Sequence, residues 1–143
     1  MLKQQDHILQ QINTLIIGER HKFIEQTGRG TSASYITIPS TLHDQAVRQH
    51  IEGDRTIGCF YCGKGSKFLC FDIDDKEPIK TLGIISTLKR IGFPKEHIHV
   101  EDSGNKGYHV WLFFDDTLPI EKLVSFGKWV ISQLGEYQDG VEL

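Results

Sequence analysis

Two apolar runs limit what this chain can fold into: Phe68-Leu69-Cys70-Phe71 and Val110-Trp111-Leu112-Phe113-Phe114. Each is too short for a buried helix and rich in aromatic side chains, so each reads as a strand. Polar groups stand at their ends. The first run continues into Asp72-Ile73-Asp74, and side chains alternate across a strand, so both carboxylates leave one face. Two carboxylates that near repel each other and gain most from a shared divalent cation with oxygen ligands, Mg²⁺ or Mn²⁺. A solvated strand end has the same pattern without the metal. The second run is preceded by Ser103-Gly104-Asn105-Lys106-Gly107-Tyr108-His109. Gly104 and Gly107 permit a turn that aims N–H groups at an anion, Lys106 adds a point charge, and His109 sets an imidazole at the start of the strand. Taken alone, the turn also reads as an ordinary hairpin with a solvated tip. Together the acid pair and the Ser/Lys/His turn supply what a metal-bound nucleoside triphosphate needs.

The remaining elements follow from periodicity. Ile8, Leu9, Ile12, Leu15 and Ile16 mark an amphipathic helix over residues 4–17, and a shorter helical piece continues past Gly18 through Phe23 and Ile24. Residues 28–32 form a loop and residues 34–38 a short strand closed by Pro39. Thr41 and Asp44 resemble a capping box that opens a helix running to about Glu52. A hairpin is expected next, with strands over residues 56–62 and 67–73. Pro78 then opens a helix whose buried stripe is Ile79, Leu82, Ile85, Leu88 and Ile91. Strands over residues 97–101 and 108–114 flank the glycine turn, with Ile98 and Val100 facing inward and His99 and Glu101 outward. A last helix starts near Pro119 and buries Ile120, Leu123, Val124, Val130, Ile131 and Leu134. Val141-Glu142-Leu143 opens one more strand, with so few residues that fraying, exchange with another copy, or support from the preceding helix alone is expected. From Thr56 the order is β-β-α-β-β-α plus an incipient strand, an α+β fold whose antiparallel-rich sheet has helices on one face and an open face opposite.

Composition narrows the class. The chain has 143 residues, 24% charged and 38% hydrophobic, the proportions of a soluble globular domain. No apolar run approaches the ~20 residues of a membrane-spanning helix. Met1-Leu2-Lys3-Gln4-Gln5-Asp6 lacks the basic-then-apolar order of a signal peptide, so a cytoplasmic location is expected. The net charge of −3 does not advertise nucleic-acid binding, although contact needs only a local basic surface. Lys64, Lys67, Lys89, Arg90 and Lys95, or Arg20, His21, Lys22 and Arg29, offer one; scattered solvated cations are the alternative. Cys59-x-x-Cys62 has metal-knuckle spacing without a second cysteine pair, and on a regular strand its two thiols leave opposite faces. Ordinary reduced cysteines are the expected reading, with a zinc site that borrows His97 or His99 as the alternative.

The two motifs resemble the first two of the archaeo-eukaryotic primase superfamily, most closely over residues 56–114. Ser-Gly-x-Lys-Gly-x-His looks like the turn of polymerase domains attached to bacterial repair ligases. Val100-Glu101-Asp102-Ser103-Gly104 and His109–Phe114 look closer to primase-like proteins of mobile elements and defence islands. The resemblance implies a single domain over residues 1–143, with a mostly helical part over 1–55 and an RRM-like catalytic core, the N-terminal part of the full one, over 56–143. It implies a DNA primase or polymerase, a nucleotidyltransferase that uses two Mg²⁺ or Mn²⁺ ions, an NTP or dNTP, and a DNA template-primer. A helicase or nuclease is the implied collaborator. By the same resemblance Asp72, Asp74 and Glu142 are the metal ligands, with Asp72, Asp74 and His109 catalytic. Ser103, Gly104, Lys106, Gly107 and His109 bind the triphosphate. A frayed acidic terminus is the other reading of Glu142, and core packing the other reading of Trp111 and Phe113, which otherwise can stack a base. Two rival functions remain. One is a non-catalytic nucleotide- or single-strand-binding module. The other is a haloacid-dehalogenase-type phosphohydrolase, which wants Thr or Val where Lys76 stands.

Overall fold

A computed structural model describes all residues except Met1, Arg29, Cys62 and Asn105, together with the side chains of Leu2 and Lys3. The chain divides into two compact units, Met1–Gly65 and Ser66–Leu143.

The first unit holds α1 (Leu2–Leu15), β1 (Phe23–Thr27), β2 (Ser34–Ile38), α2 (Asp44–Ile51) and β3 (Ile57–Cys59). Its sheet runs β2-β1-β3, with Phe23 opposite Ile38 on one side and Cys59 on the other, both pairings antiparallel. Leu9, Phe23, Leu42, Ala46 and Val47 form its core. Two expectations are corrected here. Phe23 and Ile24 lie in a strand and not in a helical continuation. The strand at Ile57 does not make a hairpin with residues 67–73, because its partners lie upstream. Gln26 N–H donates to Thr56 O at 2.9 Å, Glu19 N–H to Phe60 O at 3.1 Å, and the Arg55 guanidinium pairs with Glu25. The capping box does not form either. His43 is the N-cap of α2 and makes no side-chain cap bond, while Asp44 Oδ1 accepts from Arg20 and Asn13 at 3.1 Å each.

The second unit contains β4 (Gly65–Ile73) from its second residue on, α3 (Ile79–Arg90), β5 (His99–Asp102), β6 (Tyr108–Pro119), α4 (Ile120–Ser132) and β7 (Val141–Glu142). Sheet order is β5-β6-β4-β7, so the chain order β-α-β-β-α-β is a split β-α-β arrangement. The α+β class stands, with the first strand of the expected series reassigned to the other sheet. Leu69, Phe71 and Ile73 of β4 and Val110 and Leu112 of β6 point to one face, where they meet Ile84, Leu88, Leu123 and Val130 of the helices. Alternation leaves the opposite face of β4 and β6 uncovered by any element of this unit.

Helix α3 is rotated from its expected orientation. Thr81, Ile84, Thr87 and Leu88 are buried, whereas Ile79 and Leu82 are more than half exposed. The small residues explain this: a Cβ on Gly83 would lie 2.6 Å from Leu134 Cδ2, so this side of α3 admits close neighbours and the bulkier Leu82 turns away. On β5, Val100 stands opposite the buried Val110 and shares its face as expected, although at the sheet edge it is half exposed. At the C-terminal end, β7 is paired with β4: Glu142 is opposite Asp72 and Val141 opposite Ile73. Asp74 N–H donates to Gly140 O at 2.9 Å, Lys80 Nζ to Asp139 O at 2.6 Å, and Leu143 lies against Gly127 of α4. The segment is thus bound to a neighbouring strand as well as to the preceding helix.

The two sides of α3 give a direct test. Ile84→Ala should cost about 2–5 kcal/mol, as for a fully buried aliphatic residue. Leu82→Ala should stay within about 0.5 kcal/mol. Denaturant unfolding of the two variants checks the order, and a larger loss for Leu82→Ala would reverse the assignment of faces.

Candidate active site

The uncovered face of the second sheet collects the polar groups that the alternation of β4, β5 and β6 sends outward. Phe68, Cys70 and Asp72 leave β4 on that side, and His109, Trp111 and Phe113 leave β6. His99 and Glu101 of β5 stand opposite Trp111 and His109 in an antiparallel register, so each pair shares the face. Glu142 joins from β7, opposite Asp72. Trp111 and Phe113 therefore belong to this face and not to the core, their rings parallel within 1° and 6.0 Å apart.

His109 stands at the centre. Its Nε2 lies 3.5 Å from Asp72 Oδ1, and its Nδ1 lies 3.0 Å from Glu101 Oε2. The Trp111 indole N–H donates to the same Glu101 oxygen at 2.8 Å. Alternation already puts Glu101 outward; its bond to His109 was not foreseen, although facing positions across the hairpin are its signal. Asp74, just past the end of β4, has Oδ2 at 4.0 Å from Lys106 Nζ, both well exposed. Such a pair contributes little to stability and chiefly sets a cation beside the acids. Asp75 is held differently. The Glu77 N–H and then Lys80 Nζ, 3.0 Å away, hold its carboxyl below the usual carboxylate range. It braces the turn and does not face the site.

The turn is tied to itself. Ser103 N–H donates to Gly107 O at 2.9 Å, Gly107 N–H to Ser103 Oγ at 3.0 Å, and Gly104 N–H to Asp102 Oδ1 at 2.7 Å. This changes the expected picture of N–H groups aimed outward: those of Ser103, Gly104 and Gly107 are engaged within the turn. Asn105 lies outside the described residues, and Lys106 brings an ammonium to the turn, beside Asp74. Gly104 has φ +75, a conformation that suits glycine. At Gly107 the constraint is space, since a Cβ there would overlap the Ile73 carbonyl oxygen and lie 2.7 Å from Asp75 N. The turn is pressed onto the end of the acid strand, which brings the two motifs together.

Cys70 sits on the same face. Burial, then the nearby charges of Asp72 and Glu101, push its thiol up to about 12. Cys59 lies in the first unit, its thiol donating to Ile16 O at 3.6 Å and raised by burial. Cys62 lies outside the described residues, so the Cys-x-x-Cys spacing is followed no further. Asp72, Glu142 and His109 are thus brought side by side, and Asp74 sits with Lys106. Among the described residues, no three His, Cys, Asp or Glu side chains are already close enough to hold a metal ion.

A split β-α-β sheet with acids and a glycine turn on its open face is the layout expected of a primase-type core. The model of the TOTE conflict system archaeo-eukaryotic primase domain matches residues 19–143, and the chain belongs to that family. The match starts well before Thr56 and so takes in β1 to β3 of the first unit as well. No curated protein matches the sequence. Among the described residues no helix is long and apolar enough to cross a membrane.

Two measurements probe this geometry. Gly107→Ala should destabilise the chain by about 1–3 kcal/mol, as overpacking against backbone does, and a change within the range of ordinary surface substitutions would contradict the close approach. Cys70 should resist iodoacetamide in the folded chain at pH 8, because a thiol raised to about 12 holds almost no reactive thiolate there. Rapid labelling of Cys70 in peptide mapping would contradict that environment.

Proposed function

We propose that the chain is a primase-polymerase nucleotidyltransferase domain that transfers a nucleotide from an NTP or dNTP to a 3′-hydroxyl on a DNA template-primer. The observation that carries this reading is the juxtaposition of Asp72 with Glu142 and with His109 Nε2 on an open sheet face, beside a glycine turn bearing Lys106. Asp72 and Glu142 are exposed oxygen donors on neighbouring strands, and Asp74 follows just past the end of β4. Such a set fits hard, partly hydrated cations, Mg²⁺ or Mn²⁺, which keep water in their shells and need no closed protein cage. When bound, two such ions would orient the triphosphate for in-line attack and neutralise charge in the transition state. His109 donates through Nδ1 to Glu101, which leaves Nε2 to face a phosphate oxygen. Lys106 offers a second cation to the outer phosphates. The Ser103 hydroxyl accepts from Gly107 N–H and keeps its own proton to donate.

A second reading, binding of nucleotide or single strand without turnover, draws on the same sheet face and turn, which can hold a triphosphate without transferring it. The phosphohydrolase alternative has no place in a chain of this family.

Calorimetric titration separates the readings. Asp72→Ala should abolish Mn²⁺-dependent triphosphate binding with the fold intact, since removing a like charge relieves repulsion. Glu142→Ala and Asp74→Ala should weaken it. Unchanged Mn²⁺ affinity in Asp72→Ala would refute the metal assignment, and tight binding without primer extension would favour the binding module.

A further inference from the structure

We propose that Glu101 is the positioning residue for His109, and that Trp111 in turn holds Glu101. The proposal rests on the triphosphate reading of His109 for its consequence, while its geometry stands apart from that reading. Glu101 and His109 are directly opposite in the β5–β6 ladder, so their side chains leave the sheet together. Trp111 lies two residues beyond His109 on β6 and shares its face. One oxygen, Glu101 Oε2, meets His109 Nδ1 at 3.0 Å and Trp111 Nε1 at 2.8 Å. A carboxylate oxygen accepts, so Nδ1 carries a proton here; an indole only donates, so Trp111 keeps its bond whatever the imidazole does.

The support continues outward from Trp111. Its ring is stacked on Phe113, tilted against Phe68 with centroids 5.6 Å apart, and met edge-on by His109 at 5.9 Å. His99 closes the row with its edge to Phe113 at 5.6 Å. Rings packed in this way fix the indole, the indole N–H fixes the carboxylate, and the carboxylate selects the imidazole orientation. An unanchored imidazole flips about its ring bond and exchanges its two nitrogens. With Glu101 on Nδ1, Nε2 is always the nitrogen on the Asp72 side, where a phosphate is expected. The cost of ordering the ring is then met by the fold before any ligand arrives.

The test uses the full chain labelled with ¹⁵N-histidine, with His109 assigned by subtraction of the His109→Ala spectrum. The native ring should show a protonated Nδ1. Glu101→Ala should shift that signal toward the averaged value of a free side chain, Trp111→Phe should do so to a smaller extent, and Glu101→Gln, whose amide oxygen still accepts, should preserve much of it. Triphosphate affinity in the presence of Mn²⁺ should fall roughly twofold to tenfold in Glu101→Ala, the usual worth of one intramolecular hydrogen bond. The same substitution on a His109→Ala background should cause no further loss, because the two residues act as one unit. An unchanged His109 ring signal in Glu101→Ala, or a loss that adds fully to that of His109→Ala, overturns the proposal. If Glu101→Ala does not fold, Glu101→Gln and Trp111→Phe decide by the same signals. A native chain that binds no triphosphate would defeat the proposed function, and the ring spectra would still decide the positioning role.

Discussion

The contact on which the site depends is one of backbone against backbone. Gly107 sits so close to Ile73 and Asp75 that no side chain fits between them. This joins a turn and a strand end separated by more than thirty residues of chain, and it does so without a single charged group. Two polar relations follow from that closeness, Lys106 near Asp74 and His109 near Asp72, while Glu101 meets His109 across the β5–β6 hairpin. Packing sets the geometry, and electrostatics then works within it.

The electrostatic arrangement is a balance of like and unlike charges on an open surface. Asp72, Asp74, Glu101 and Glu142 crowd one end of the sheet, and carboxylates so placed repel each other. The chain relieves part of this with the imidazole between Asp72 and Glu101 and the ammonium beside Asp74. Asp72 and Glu142 lie directly opposite on β4 and β7, and the His109 imidazole stands on the Asp72 side of that pair. A folded surface that leaves acids partly uncompensated is poised to gain from a cation, and the hydrophobic layer beneath, with Phe71 and Ile73 fully buried, supplies the rigidity to hold them there.

Much of the second unit was legible because alternation is a strong signal on strands with one buried face. The outward placement of Asp72, His109 and Glu101 follows from counting residues by two, whereas the place of Glu142 beside Asp72 was expected from the family resemblance alone. What the pattern could not carry was pairing between distant segments. Residues 57–59 are as strand-like as any, yet nothing local says that they join Phe23 and not Phe68; hydrogen bonds to Thr56 and Phe60 and the Arg55–Glu25 ion pair decide it. Helix α3 was misread because large side chains were assumed to be buried, whereas Gly83 and two threonines define the packed side. The Glu101 network was hidden for a related reason: a glutamate on a strand edge looks solvated until its partner across the hairpin is known.

The chain has two tryptophans, and they report on different places. Trp129 lies on α4, stacked against Phe126 with centroids 6.4 Å apart. Trp111 is bonded to the carboxylate that faces His109. Indole emission responds to the charge and hydrogen bonding of its N–H, so the fluorescence of this protein divides into a background from the helix layer and a signal from the open face. The aromatic row thereby gives the molecule an optical probe of its own, located where a ligand would arrive and present without any added label.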